Sequence, residues 1–111
     1  MNTEQDKKNE KRHDSTGPAP MLTVIFKDKR RMSFAYAYLL EASYAESEEV
    51  DRIGLNFGFV RLVIDGLRLE SVFRKISLHR ADEIVVVDKA DASPNRASIH
   101  AVEVVRPASE S

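Results

Sequence analysis

No cysteine occurs among the 111 residues of this chain, which excludes disulfides, thiolate metal sites and cysteine nucleophiles together. Packing alone must hold the fold. Charge of one sign is also lacking, because Lys+Arg 17 against Asp+Glu 18 leaves a net charge of -1 and no global field to draw in nucleic acid or anionic lipid. Long apolar runs are missing too. None approaches the ~18 residues of a membrane-spanning helix, and the N-terminus has no apolar stretch of the secretory kind. We therefore expect no membrane partner and a cytoplasmic location. Glycine is sparse, and Gly17, Gly54, Gly58 and Gly66 fit neither the dinucleotide fingerprint nor a P-loop. Nucleoside triphosphate chemistry is not expected, and no cofactor is.

What is present begins at residue 21. The first 20 residues mix Lys7, Lys8, Lys11 and Arg12 with Glu4, Asp6, Glu10 and Asp14 and close in Ser15-Thr16-Gly17-Pro18-Ala19-Pro20, a composition that cannot bury enough to order itself. We expect a disordered tail over 1–20, one domain over 21–106 and a second tail over 107–111. A domain of this size has room for one core, burying roughly 60–65% of its unfolded surface.

Leu22, Val24 and Phe26 alternate with Thr23, Ile25 and Lys27, so the even positions face the core of a strand. Residues 28–31 make a polar turn and Met32-Ser33-Phe34 returns, giving an antiparallel hairpin whose turn has no glycine. Two periodicities fit 35–49. A strand would carry Tyr36, Tyr38 and Tyr44 on one face, whereas Phe34, Ala35, Tyr38, Leu39, Ala42 and Ala45 form a helical stripe; the aromatic content and the hairpin's need of a neighbour favour the strand. From Ile53 to Ile64 the apolar phase switches at Asn56-Phe57-Gly58, so either a hairpin turn with Gly58 at positive φ or a bulge divides two strands.

Leu69, Val72, Phe73 and Ile76 recur at i, i+3, i+4 and i+7, which predicts an amphipathic helix over about 67–79, with Asp65 near its N-terminus. Ile84-Val85-Val86-Val87 reads as an interior strand covered on both faces, and 97–105 as a last strand. The predicted order is β-β-β-β-β-α-β-β: an α+β domain, with a mainly antiparallel sheet or partly open small barrel and one helix on one face.

Three functional readings compete. The leading one is a non-enzymatic binding or adaptor domain that associates with another protein or with its own copy as a homodimer, because one helix cannot cover this many apolar strands. A second is nucleic-acid binding, in which Lys29, Arg30 and Arg31 meet Arg74, Lys75 and Arg80 as a basic patch, with Tyr36, Tyr38 and Tyr44 or Phe57 and Phe59 as a stacking surface. The third is a small metal-binding protein or enzyme using His79 with Asp82 and Glu83, an imidazole beside two carboxylates. Against both alternatives stand simpler roles: basic residues suit the negative end of a helix, and turns are charged because they are solvated.

Overall fold

The structure is a computed structural model and describes residues 17–107. The tails expected at 1–20 and 107–111 thus lie outside the described residues except for 17–20 and Pro107. Seven strands and one helix follow in the predicted order: β1 (Met21–Ile25), β2 (Arg31–Ala35), β3 (Glu41–Ala45), β4 (Asp51–Asn56), β5 (Arg61–Leu67), α1 (Glu70–Ser77), β6 (Glu83–Val85) and β7 (Ser98–Val105). They form two sheets, β2-β1-β6 and β3-β4-β5-β7, in which every pairing is antiparallel except the parallel β1/β6 pair. A single parallel bridge, Val86 to Ile99, links the sheets without closing a barrel.

Alternation places Leu22 and Val24 of β1, Ile53 and Leu55 of β4, and Leu62 and Ile64 of β5 on the inner faces, all at 1% exposure or less, in one hydrophobic cluster. Each such side chain contributes about 1.5–3 kcal/mol by leaving water. Ile76 of the helix and Leu69 at its N-cap join the same cluster, and Phe73 stacks on Tyr44 of β3 with ring centroids 5.5 Å apart. Core packing also reaches two residues before the apolar run. Ala19 is buried and donates its N–H to the His79 carbonyl at 2.6 Å, and Pro20 accepts from Tyr36 N–H at 3.0 Å.

Four sequence expectations need correction. Residues 36–38 form a 3-10 turn between β2 and β3, so no strand carries the three tyrosines on one face. Asp65 does not stand at the helix N-terminus: it lies inside β5 and pairs with Arg52, and Asp51 of β4 accepts from Leu69 N–H at 3.0 Å at the helix entry. The helix proper is also shorter than 67–79, because β5 continues through Leu67. Finally, the valine run is covered on one face only. Ile84 and Val86 are buried while Val85 is 48% exposed, since β6 alternates like any strand with water on one side.

Among the described residues three non-glycine residues, Lys29, Arg68 and His79, take positive φ, two of them at a hydrogen-bonded turn or helix end. The β1/β2 turn closes with Lys29 N–H donating to the Phe26 carbonyl and Phe26 N–H to the Arg30 carbonyl, both at 2.9 Å, and Lys29 takes φ 76°. This is a type I turn with a bulge, and its left-handed position favours glycine. We expect Lys29→Gly to raise stability by about 1 kcal/mol, read as a shift of the urea midpoint at unchanged slope; an unshifted or lower midpoint would contradict this turn geometry. The helix ends in the same conformation. His79 at φ 58° donates to the Ile76 carbonyl and Arg80 N–H to the Lys75 carbonyl, the paired bonds of a Schellman cap. Among the described residues no helix is long and apolar enough to cross a membrane.

Candidate protein-docking site

The exposed apolar surface concentrates where the 3-10 turn meets the β4/β5 hairpin. Leu40 N–H donates to the Asn56 carbonyl at 2.8 Å, pinning the entry of β3 to the end of β4. Across it, Phe57 N–H donates to the Val60 carbonyl at 2.9 Å and Gly58 N–H to Asn56 Oδ1 at 2.8 Å, with Gly58 at φ 90°. This hairpin sends its two phenylalanines in opposite directions. Phe57 is buried and stacks on Phe34 at 5.4 Å, whereas Phe59 is 58% exposed. Tyr38, also 58% exposed, meets Phe59 edge to face at 5.9 Å, and the Leu40 methyl lies over Gly58, with Leu40 71% exposed.

Tyr38, Leu40 and Phe59 thus form one continuous apolar tip of about 350 Å², within the range of functional patches on small proteins. Nothing in the core needs them there, because Leu39, Phe57 and Val60 already fill the adjoining inner positions. Glu41 and Arg61, next in sequence to Leu40 and Val60, flank the tip with one charge of each sign and share a row of the sheet through Asn56.

The other candidate residues are distributed differently. Thr23 of β1 pairs with Glu83, and its N–H donates to the Asp82 carbonyl, so the segment from His79 to Glu83 abuts the start of β1. At the opposite end of that strand Arg31 pairs with Ile25, and Lys29 and Arg30 lie in the turn beyond it, roughly 15–20 Å away by strand rise. The two basic groups are therefore not brought together. Arg30 is also engaged locally: it bonds Asp28 at 2.9 Å, holding that carboxyl below its usual value, and covers the Phe26 ring at 4.7 Å. Arg74 pairs with Glu70 one turn back along the helix. Lys75 and Arg80 serve the helix end through their backbone bonds.

Among the described residues no three His, Asp or Glu side chains are placed to hold a metal ion, so His79, Asp82 and Glu83 do not converge. His79 instead stacks on Tyr36 with centroids 4.5 Å apart. The three tyrosines have three environments. Tyr36 is buried and donates its hydroxyl to the Ala81 carbonyl at 2.8 Å, Tyr38 belongs to the tip, and Tyr44 is half-buried with its hydroxyl 3.1 Å from both Glu46 and Asp51. Burial and those two carboxylates raise the Tyr44 phenol well above its ordinary value.

Burial also pushes the Tyr36 phenol up to about 12, with the Asp82 charge adding to it. A neutral phenol is then the folded form, so its stabilisation is complete below pH 10 and is lost as pH rises through 12. The loss should be about 2–3 kcal/mol across that window. Subtracting the denaturation curve of Tyr36→Phe, which cannot ionise there, isolates this effect; identical pH dependence in the two proteins would contradict it.

Of the tip residues, sequence reasoning singled out Tyr38 and Phe59 as stacking groups and missed Leu40. The available signal was Phe57-Gly58-Phe59, since a hairpin turn at that glycine lets only one of its two phenylalanines point inward. Comparison with known proteins returned no matching family model, no matching curated protein and no matching solved structure.

Proposed function

We propose that this chain is a non-catalytic interaction domain that docks a protein segment on the tip formed by Tyr38, Leu40 and Phe59. One observation carries the reading: Tyr38 and Phe59 stand exposed and edge to face, with the exposed Leu40 over Gly58 beside them, on two hydrogen-bonded turns, while the core beside them is complete. Aromatic anchors on rigid turns lose little entropy on binding and are the side chains that most often dominate interface energy. The complementary ligand presents two or three large apolar side chains, with a basic group toward Glu41 and an acidic group toward Arg61. The cytoplasm, the compartment expected from the sequence, is part of this proposal.

The nucleic-acid reading has less support, because its two basic segments lie at opposite ends of β1. The metal reading lacks a converging ligand set among the described residues. The docking reading is tested by selecting displayed peptides on the purified chain and counter-selecting on Leu40→Glu. Enrichment of peptides rich in large apolar residues that the variant fails to retain supports it. No enrichment, or enrichment indifferent to the variant, refutes it.

A further inference from the structure

The outer face of the four-stranded sheet has an unusual centre. Ser43, Gly54, Val63 and Glu103 form one row across β3, β4, β5 and β7. Because Gly54 has no side chain, a hollow of about 240 Å³ opens over β4, with Ser43 and Val63 among its walls. A Cβ on Gly54 would come 2.9 Å from Ser43 Oγ, so even one methyl would begin to fill it. The row on one side contains Asn56 and Arg61; the row on the other contains Arg52 and Asp65, which form an ion pair at 2.7 Å. A knob, an adjacent hole and charges of both signs on one face are the ingredients of a self-complementary surface.

We propose that this face is a homodimer interface in which two copies stack about a two-fold axis running along the strands between β4 and β5. That axis exchanges β4 with β5 and β3 with β7. It sets Val63 of each copy into the Gly54 hollow of the other, Arg52 over Asp65, Asn56 over Arg61, Ser43 over Glu103, Ala45 over Ala101, and, at the corner of the face, Glu41 over Val105. No like charges meet. Shifting the axis onto β4 would put Arg52 over its own copy, and shifting it onto β5 would do the same to Asp65 and Arg61, so among these axes along the strands the charge pattern favours the one between β4 and β5.

Sheet twist keeps the central row in register and offsets the flanking ones. Stacked sheets cross at about 30°, which displaces the flanking rows, about 6.8 Å from the centre, by roughly 3.4 Å, an offset that the long Arg52 and Arg61 side chains span to reach Asp65 and Asn56. The face spans roughly 400 Å² per copy and would bury about 800 Å² in total, the size of a weak, reversible association, so we expect the dimer to form only at high micromolar concentration. The inference goes beyond the tip reading and stands or falls without it.

Sedimentation equilibrium of the full chain from micromolar to about 500 µM is expected to show a reversible dimer, and Val63→Glu, half-buried and outside the core, to weaken it at least 30-fold while the circular dichroism spectrum stays unchanged. The geometry itself is read by cross-linking, for which the cysteine-free sequence is well suited. Ser43→Cys and Glu103→Cys are prepared separately, then treated alone and mixed with a bis-maleimide reagent of about 10 Å reach, the spacing of stacked sheets. Ser43 and Glu103 lie about 14 Å apart within one copy, and two Ser43 residues would be farther still across the proposed interface. Cross-linking in the mixture and not in either variant alone supports the proposal. A monomer throughout the concentration range, or equal cross-linking of Ser43→Cys by itself, overturns it.

Discussion

Replacing Gly66 by alanine should cost about 3–5 kcal/mol, enough to unfold a large fraction of a domain whose total stability lies in the ordinary range. A Cβ at this position would overlap the Ser98 carbonyl oxygen and lie 3.0 Å from Ile99 Cα. Both obstacles are backbone of the neighbouring strand, so no side-chain rotation relieves them. They stand at the bulge where the β5/β7 register shifts after Asp65, one residue from the Val86–Ile99 bridge that joins the sheets. Moving β7 away would therefore loosen the link between sheets as well as the ladder. Gly54→Ala is the control: there a Cβ meets only the Ser43 hydroxyl, which can turn aside, and the cost should stay within about 1 kcal/mol. Thermal melts of the two variants should differ widely, and a Gly66→Ala melt within a few degrees of the parent would contradict the close approach of β5 and β7.

Leu40→Glu should have the opposite profile, with normal stability and lost binding. Its side chain is 71% exposed, so the folded state loses little, within about 0.5 kcal/mol. Truncating a central interface anchor, by contrast, costs 2–4 kcal/mol, and a buried unpaired carboxylate adds desolvation. We expect affinity for a selected apolar peptide to fall by at least about 100-fold. Leu78→Glu is the matched control, since Leu78 is 59% exposed at the helix end, outside the tip. Peptide titrations by fluorescence anisotropy should separate the two variants; equal weakening would mean that general hydrophobicity, and not the tip, holds the ligand.

Local pattern made much of this fold legible. The alternation of Leu22 and Val24 identified the inner face of β1, and the spacing of Leu69, Val72, Phe73 and Ile76 identified the helix. Asn56-Phe57-Gly58 marked a bend whose hairpin form appears with Gly58 at positive φ. The strand expected over 35–45 appears at Glu41–Ala45, but residues 36–38 misled because Tyr36 and Tyr38 share a strand-like spacing across a 3-10 turn, where one ring is buried and the other exposed. No local pattern distinguishes those two environments.

The candidate sites were harder to read, because they depend on pairings between distant segments. The parallel β1/β6 pair determines that Lys29 and Arg80 lie at opposite ends of a strand, and nothing near either residue encodes that. Leu40 belonged to no visible motif for a similar reason. Its exposure follows from a hydrogen bond to Asn56 that anchors the entry of β3, a contact across 16 positions of the chain. Conversely, Gly54 and Gly66 look alike in sequence, yet one leaves a hollow on the surface and the other admits a neighbouring backbone.

The most direct measurement is an amide NMR titration of the labelled chain with a peptide enriched on it. Binding at the tip should move the resonances of residues 38–41 and 57–61 together, leaving the helix end and the β1/β2 turn unchanged. Shifts centred instead on residues 27–31 or 74–83, with the tip unmoved, would contradict the docking site and return attention to the basic segments.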